Sequence, residues 1–381
     1  MDNCVIPHGY KATALGIIPQ EWEVMLLGNL SNSISSGRNK HRDAHGQYPV
    51  FGSTGIIGYS STYEYEGPVI LVARVGANAG TLNFASGQYD VSDNTLIITI
   101  KQNVYDYNFA YNQLTHYKLN KLVFGSGQPL ITSKQLKNIR IPVPPLAEQR
   151  KIAEVLGVWD KAIEKQARLI EKLALRKRGL MQRLLSAKLR LPGFSEPWKK
   201  VKLGDVAELY QPQTIQSEDL SQTGYPVYGA NGLIGYYNNY NHEYPQVVIT
   251  CRGSSCGTVN FTPGKCWITG NAMVLNVDNN RDVNKSFFYY LISNSSFVNL
   301  ISGSGQPQIV RQPLLKFELR IPPLKEQTAI AEVLTAADRE IDLAKEKLER
   351  LRRQKRGLMQ QLLSGKKRVK INIYGNFYKI H

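Results

Sequence analysis

The chain has 381 residues, a formal net charge of +17 and a pI of about 9.6. Domains commonly have about 100–200 residues, so two or three are expected, and the positive charge favours a polyanion as partner because Lys and Arg neutralise phosphates. No segment approaches the roughly 18 apolar residues of a membrane span and the N-terminus lacks a signal-peptide pattern, so we expect no membrane partner and a cytoplasmic location. Charge alone leaves open a basic protein that binds no polyanion.

The predicted elements form two globular segments, each followed by a long helix. Short apolar runs such as 69–72 and 95–100 are bounded by turn residues and predict β-strands in a globular domain. The helices are expected to begin after Pro144-Pro145 and Pro322-Pro323, because proline fits the start of a helix. We predict the fold class α/β (mixed α+β), with globular domains at 1–145 and 191–323, helices at 146–190 and 324–366, and a tail at 367–381.

This order of elements reflects an internal duplication. The segment Gly-Ser-Gly-Gln-Pro at 125–129 recurs at 303–307, a shift of 178 residues (303 − 125 = 178). The segment 177–182 recurs at 355–360, and Tyr-Pro-Val-Phe-Gly at 48–52 matches Tyr-Pro-Val-Tyr-Gly at 225–229. Matches in this order indicate two copies of one structural unit.

Both long helices carry a heptad pattern of apolar residues, which predicts a coiled-coil seam. Because a globular domain separates them in one chain, we expect the helices to pair antiparallel, with pseudo-twofold symmetry and a domain at each end. About 40 residues at 1.5 Å each span about 60 Å. The predicted seam, which is also the predicted partner-contacting set, contains Ile152, Leu156, Trp159, Ile163, Ile170, Leu173 and Leu180 in the first helix and Ile330, Leu334, Ile341, Leu348, Leu351 and Leu358 in the second.

One seam position is charged in both helices. Lys177 and Lys355 occupy the same position of the heptad seam. A polar seam residue can fix the register of a coiled coil, whereas a Lys near a helix end can also extend its amine to solvent. The sequence favours neither interpretation.

Catalytic and cofactor motifs are missing from the sequence. It has no G-x-x-x-x-G-K-[ST] phosphate loop, no G-x-G-x-x-G fingerprint, and no Asn/Asp-Pro-Pro-aromatic motif of adenine methyltransferases. The His residues are scattered and the four cysteines lack zinc-ribbon spacing, so reduced structural thiols are favoured over a zinc site. We therefore expect no catalytic residue, no metal and no cofactor, although residues brought together by the fold leave an enzyme possible.

Candidate DNA-contacting residues lie in polar loops. Residues 37–42 combine three cations with an Asn, and Arg and Asn offer bidentate contacts to guanine and adenine. Arg74 and Arg252 each end an apolar run and precede a small-residue loop that would suit a phosphate. A solvated loop and a structural Arg are the alternatives. The predicted DNA-binding residues are Arg38, Asn39, Lys40, His41, Arg42, Arg74, Asn78, Lys134, Gln213, Gln216, Arg252, Ser254 and Arg311.

The duplication separates shared roles from specific ones. Residues identical in both copies, such as Asn94 and Asn271, cannot distinguish two half-sites and are expected to serve folding or shared backbone contacts. Specificity is expected where the copies differ, at 38–45 against 211–220 and at 132–135 against 310–313. Unequal loops predict an asymmetric, bipartite target.

This arrangement resembles the specificity (S) subunits of type I restriction-modification enzymes. Two variable domains alternate with two near-identical helices, each entered through a Pro-Pro-Leu-x-Glu-Gln segment (144–149 and 322–327), and residues 10–22 are similar to the start of such subunits. The likeness covers nearly the whole chain. It implies that each domain reads half of a split sequence in double-stranded DNA. It further implies that the helices set the spacing and dock two methyltransferase subunits, through which restriction subunits join.

The resemblance also assigns S-adenosylmethionine, ATP and magnesium to those partner subunits rather than to this chain. Two other hypotheses stay open. One is a coiled-coil scaffold without any DNA sequence preference, and the other is a nuclease or methyltransferase that acts alone.

Overall fold

The computed structural model describes residues 6–40, 42–43, 45–124, 129–229, 232–303 and 305–371. The chain divides into two compact units, one formed by 1–166 together with 347–381 and the other by 167–346. Each unit therefore contains one globular domain and a part of each long helix. Strands and helices are mixed in both, which confirms the predicted fold class.

The first unit contains two four-stranded sheets, two strand pairs and three short helices before the first long helix. Its elements are β1 (Tyr10–Thr13), β2 (Gly16–Pro19), β3 (Glu23–Leu26), α1 (Leu27–Leu30), β4 (Ser31–Ser36), β5 (Tyr48–Gly52), β6 (Gly55–Ser60), β7 (Tyr65–Glu66), β8 (Val69–Ala73), β9 (Leu82–Ala85), β10 (Gln88–Val91), β11 (Thr95–Ile100), α2 (Tyr107–Tyr117), α3 (Ser133–Lys137), β12 (Arg140–Val143) and α4 (Leu146–Leu184).

Most strands of the first unit form two sheets, and the position of a strand in its sheet explains how far it is buried. Every residue of β8 is buried, because the strand lies inside the sheet β4-β11-β8-β9. The second sheet has the order β6-β5-β10-β7, with β10 parallel to β5. Helix α2 starts at Asp106, whose carboxylate accepts from the Phe109 N–H at 2.9 Å and caps the helix. Phe109, Leu114 and Trp22 are buried in the core of this unit.

The second unit repeats this plan with fewer strands. Its elements are β13 (Lys199–Lys202), α5 (Leu203–Val206), β14 (Glu208–Tyr210), β15 (Tyr225–Gly229), β16 (Gly232–Tyr237), β17 (Val247–Thr250), β18 (Val259–Phe261), β19 (Trp267–Ile268), β20 (Ala272–Asn276), α6 (Lys285–Ser293), α7 (Arg311–Leu315), β21 (Glu318–Ile321) and α8 (Leu324–Leu362). The sheets are β14-β20-β17-β18 and β16-β15-β19, with β15 and β19 parallel, and β13 pairs with β21. Asn284 caps α6 as Asp106 caps α2, by accepting from the Phe287 N–H at 2.9 Å.

The two long helices run antiparallel within each unit, which confirms that part of the prediction. In the second unit Arg176 and Lys177 of α4 pair with Glu340 and Asp338 of α8, in reverse order. In the first unit the N-terminal part of α4 packs on the C-terminal part of α8, where Ile152 and Leu156 share a core with Met359 and Leu362.

Every residue of the predicted seam is buried or half-buried. Ile170, Leu173, Ile341 and Ala344 form one cluster between the helices of the second unit. Leu180 packs on the larger core of the same unit, beside Ile330 and Leu334. The fully buried or nearly buried members are Ile152, Leu156, Leu173, Ile330, Leu334, Ile341 and Leu348, and the half-buried ones are Trp159, Ile163, Ile170, Leu180, Leu351 and Leu358.

Candidate nucleic-acid interface

Arg74 lies just after β8, in a frame of backbone hydrogen bonds. Its N–H donates to the Asn94 carbonyl at 2.9 Å, and its carbonyl accepts from the Ile131 N–H at 2.9 Å. The Gly76 N–H donates to the Pro129 carbonyl at 3.0 Å. The turn after β8 is thereby joined to the end of the Gly-Ser-Gly-Gln-Pro segment, whose residues 125–128 lie outside the described part of the chain.

The Arg74 side chain is directed toward the protein interior. Its Nη1 donates to Ser36 Oγ at 3.2 Å, at the end of β4. Its Nε is fully buried and has no hydrogen-bond partner among the described residues. An Arg held in this way supports the strand ends of its own unit, which favours the structural interpretation of Arg74.

In the second unit, Cys251 makes the equivalent backbone hydrogen bonds. The Cys251 N–H donates to the Asn271 carbonyl at 3.1 Å, and its carbonyl accepts from the Ile309 N–H at 3.0 Å. Its Sγ accepts from Gln211 Nε2 at 3.5 Å, in the place where Arg74 meets Ser36. Burial raises the pKa of the Cys251 thiol to about 11, so it is protonated at neutral pH.

Arg74 and Arg252 therefore do not occupy corresponding positions, although each follows an apolar strand. Arg252 is the residue after Cys251, and its counterpart in the first unit is Val75, as the bridges Val75–Leu130 and Arg252–Gln308 show. Successive residues of an extended chain point to opposite faces. Moving the Arg by one position thus takes it from the interior to the surface, where Arg252 is exposed.

The basic loop of the first unit connects β4 to β5. Arg38 is exposed and lies 3.6 Å from a carboxylate oxygen of Glu64. The side-chain amide of Asn39 donates to the Asp90 carboxylate, so its donor is engaged inside the unit. Lys40 and Arg42 are exposed, and His41 lies outside the described residues.

This loop rests on the hairpin formed by β5 and β6. Arg42 lies against Gly58, where a Cβ would come within 2.9 Å of Arg42 Cδ. The Asp43 N–H donates to the Tyr59 carbonyl at 2.8 Å. Arg42 and Asp43 therefore lie along β6, the outer strand of the hairpin.

The corresponding loop of the second unit contacts its own hairpin in a similar way. The Ser221 N–H donates to the Tyr236 carbonyl at 2.8 Å, as Asp43 does to Tyr59 in the first unit. Gln213 and Gln216 are exposed, and the Gln213 carbonyl accepts from Trp267 Nε1 at 3.2 Å. Each unit thus has an equivalent hairpin, and the loops that contact the two hairpins differ chemically.

The remaining predicted DNA-binding residues are all exposed. Lys134 lies in α3, which begins with a capping box between Thr132 and Gln135. Arg311 is the first residue of α7, the equivalent short helix of the second unit. Asn78 and Ser254 lie in the turns that follow β8 and β17.

A buried carboxylate marks the start of each long helix. Glu148 is fully buried, and it accepts from Trp22 Nε1 at 3.1 Å and from Arg368 Nε and Nη2 at 2.6 and 2.8 Å. In the second unit Glu326 accepts from Trp198 Nε1 at 3.2 Å and from Arg190 Nε and Nη2 at 2.6 and 2.8 Å. Each Arg follows the other helix of its pair, so the end of one helix is bound to the start of its neighbour.

The next residue of each helix binds the globular domain. Gln149 Oε1 accepts from the Asp106 N–H at 2.9 Å, and its Nε2 donates to the carbonyls of Val104 and Pro144 at 2.8 Å each. Gln327 makes the same three contacts, to Asn284, Asp282 and Pro322. The Glu-Gln of the Pro-Pro-Leu-x-Glu-Gln segment thus joins a helix to its domain.

His242 is a buried titratable group of the second unit. It lies 3.0 Å from the Tyr210 hydroxyl, and its burial lowers its pKa, against an opposing effect of Asp278. Because the unfolded chain then binds more protons once the pH falls below about 6.5, the unfolding free energy is expected to decrease through that range and to hold above it. We expect the thermal midpoint of the His242→Gln variant to fall less than that of the wild type between about pH 7.5 and about pH 5.5. Equal losses in both proteins would assign the effect to other groups.

The described residues contain neither a metal-binding cluster nor a membrane-spanning helix. No group of three or more His, Cys, Asp or Glu side chains among them is arranged to hold a metal ion. Within the same part of the chain, no helix has the length and apolarity needed to cross a membrane.

Several of these contacts escaped the sequence prediction. The sequence patterns assign no partner to Glu148 and Glu326, and they do not single out Arg190 and Arg368. Their partners lie far away in the chain, so no local pattern indicates them. The signal available was their recurrence at the 178-residue shift (326 − 148 = 178; 368 − 190 = 178).

Comparison with known proteins gives one consistent family. The model of the "Type I restriction modification DNA specificity domain" matches twice, at residues 19–174 and 195–353. Two relatives from Methanocaldococcus jannaschii are similar over nearly their whole length. They are the type I restriction enzyme MjaVIII specificity subunit, with 24% identity over 93% of this chain and 94% of the relative, and the putative MjaX specificity subunit, with 26% identity over 95% and 97%.

Solved structures show the same fold. The type I restriction-modification S subunit from M. genitalium matches with a TM-score of 0.64 and 20% identity, over 90% of this chain and 96% of that one. A chain from a study of assembly and conformational transition of the type I R-M system matches with a TM-score of 0.56 and 19% identity, over 91% and 99%. With both copies of the domain matched in order, the chain belongs to the type I restriction-modification specificity-subunit family, whose role is DNA target recognition and not catalysis.

Proposed function

We propose that the chain recognises an asymmetric, bipartite sequence in double-stranded DNA. Residues 1–145 would read one half and residues 191–323 the other. The helical segments 146–190 and 324–366 would connect the halves and dock two methyltransferase subunits, and restriction subunits would join through that complex. In the tail at 367–381, Arg368 binds Glu148.

The observation that carries this proposal is that the two units share their backbone hydrogen bonds but differ in the side chains of one loop. Both units have the same backbone hydrogen bonds around the strand ends and the same hairpin under the variable loop. In this loop the first unit exposes Lys40 and Arg42, whereas the corresponding loop of the second unit exposes Gln213 and Gln216. Cations and amides make different contacts with base edges, so two such surfaces suit two different half-sites.

An exchange of one domain tests the proposal. Residues 191–323 would be replaced by the equivalent domain of a relative, and the chimaera expressed in cells with its methyltransferase subunit. We expect the methylated sites in the DNA of these cells to change in one half of the motif and to keep the other half and the spacing. Changes in both halves would contradict modular reading, and the absence of any enriched motif for the wild type would favour a scaffold.

Arg252 and Arg74 form a matched pair for a second measurement. Because each neutralised phosphate contributes about −0.9 to the slope of log affinity against log salt, Arg252→Ala is expected to weaken DNA binding and to reduce that slope by about one unit if it contacts a phosphate. A base contact would instead relax the sequence preference of the second half-site.

Arg74→Ala serves as the control, because the Arg74 side chain is bound to Ser36 inside its unit. It is expected to lower thermal stability and to leave the salt slope unchanged. The assignment of Arg252 fails if its Ala variant keeps wild-type affinity, slope and motif in a fluorescence-anisotropy titration with the methyltransferase complex.

A further inference from the structure

One ion pair between the long helices occurs in the same form in both units. Lys177 Nζ lies 2.5 Å from Asp338 Oδ1 in the second unit, and Lys355 Nζ lies 2.5 Å from Asp160 Oδ1 in the first. The two pairs are related by the 178-residue shift of the duplication (355 − 177 = 178; 338 − 160 = 178). In the second unit the Lys lies on α4 and the Asp on α8, and in the first unit the Lys lies on α8 and the Asp on α4. We infer that these two pairs, together with the Arg368–Glu148 and Arg190–Glu326 contacts at the helix ends, fix the register of the antiparallel helices. If the proposed function holds, they also fix the number of base pairs between the half-sites.

The Lys residues are held in the seam and do not extend to solvent. Their side chains are only 20% and 16% exposed, although each occupies a seam position near the end of a helix. In the second unit Asp338 also accepts from the Tyr290 hydroxyl at 2.8 Å, and Lys177 Nζ lies 5.3 Å from the centre of the Tyr290 ring. Tyr290 belongs to α6 of the globular domain, so Asp338 is held by both the opposite helix and the domain.

Apolar seam residues alone specify the register weakly. The cluster around Leu173 and Ile341 consists of Leu, Ile and Ala, and a shift by one heptad replaces one apolar contact with another. The same shift would place Lys177 opposite Ala331 or Lys345 instead of Asp338 (338 − 7 = 331; 338 + 7 = 345). It would place Asp160 opposite Leu348 or Leu362 (355 − 7 = 348; 355 + 7 = 362).

A shifted register therefore leaves Lys177 and Lys355, whose side chains are mostly buried, in the seam without a partner, which is unfavourable. Their partners Asp338 and Asp160 are 35% and 53% exposed. A polar seam residue specifies register in coiled coils for this reason. One heptad at 1.5 Å per residue corresponds to about 10 Å of sliding. At 3.4 Å per base pair this equals about three base pairs of DNA.

The chain also provides a matched control. Arg176, the residue before Lys177, forms an ion pair with Glu340 on the surface, with side chains 56% and 47% exposed. This pair is not repeated in the first unit, where Gln354 and Ala162 occupy the equivalent positions. An exposed pair contributes little to pairing specificity, so reversing its charge should leave the register unchanged.

The test reverses and then exchanges the charges in the full chain bound to its methyltransferase subunits. Lys177→Asp with Lys355→Asp breaks both pairs, and the addition of Asp338→Lys and Asp160→Lys restores them in the opposite sense. Lys177→Met with Lys355→Met keeps the seam apolar, so this variant is expected to fold even where the reversed one does not. Arg176→Glu is the control.

Two readouts separate the register from the proposed function. Spin labels at Lys172 and Glu346, which are exposed and lie on the two helices of the second unit, report the register by pulsed EPR distances. A library of DNA targets whose spacers differ by up to about four base pairs reports the preferred spacing.

We expect one EPR distance and one preferred spacer for the wild type, the charge-exchanged variant and Arg176→Glu. The reversed and Met variants should show additional distances, with a second spacer near three base pairs from the first. Wild-type distances in both of these variants would overturn the inference, as would the failure of charge exchange to restore the wild-type distance. If the distances shift as expected but the wild type has no sequence preference, the register assignment stands and the proposed DNA recognition fails.

Discussion

Replacing Arg368 with Ala is expected to lower the free energy of unfolding of the first unit by about 3–5 kcal/mol. Glu148 has no exposed surface and depends on Arg368 for two of its hydrogen bonds, with Trp22 supplying the third. Removing the guanidinium would leave a carboxylate buried with its charge uncompensated. Such a loss is large because the charge is far from water, whereas an exposed pair contributes about 0–1 kcal/mol.

The measurement is urea unfolding of the wild type, of Arg368→Ala and of the exposed control Arg352→Ala, whose partner is Glu349. We expect a near-zero change for the control. The double variant Arg368→Met with Glu148→Leu should recover most of the loss, because apolar residues often replace a buried ion pair without a penalty. A change below about 1 kcal/mol for Arg368→Ala would show that Glu148 is not held as described.

Replacing Gln149 with Leu is expected to lower the free energy of unfolding of the first unit by about 2–4 kcal/mol. Leu has a similar size, so the packing is kept, but three hydrogen bonds to the backbone of the globular domain and the helix entry are lost. The N–H of Asp106 would then be buried without a partner at the start of α2. The expected loss is therefore greater than that of an exposed side-chain hydrogen bond.

Thermal and urea unfolding would be compared with Gln182→Leu, which alters an exposed Gln of the same helix. Gln327→Leu should reproduce the effect in the second unit, because Gln327 makes the equivalent contacts. If Gln149→Leu and Gln182→Leu lower the stability equally, the three contacts do not contribute as the distances indicate.

Local periodicity explains why the helices and their seam were predictable. Ile152 and Leu156 each begin a mostly apolar series that recurs every seven residues. The Pro-Pro pairs come directly before Leu146 and Leu324, where the helices begin. The duplication also indicated which residues serve both units. These features depend on neighbours in the sequence, so a single chain displays them.

Contacts between distant segments explain what was missed. The partner of Lys177 lies on the other helix, and choosing Asp338 requires the register, which the apolar pattern leaves open. Asn39 was a plausible adenine contact, yet its amide binds Asp90, 51 residues later. Arg252 and Arg74 appeared alike because the position of a one-residue gap between the copies decides which strand face each side chain occupies.

The first unit is built from two segments that are far apart in the chain, and this determines when it can fold during synthesis. Residues 347–381 complete a unit whose other part is residues 1–166, and the Tyr10 hydroxyl donates to the Gly365 carbonyl 355 residues later. The ribosome therefore releases all of residues 167–346, a continuous unit, before the first can close. At about 5–20 residues per second, the N-terminal domain waits for roughly 10–40 s with the part of its core that packs on Met359 and Leu362 uncovered. The domain that is translated second can therefore complete its fold first. The N-terminal domain stays incomplete for longer and therefore needs protection from aggregation during synthesis.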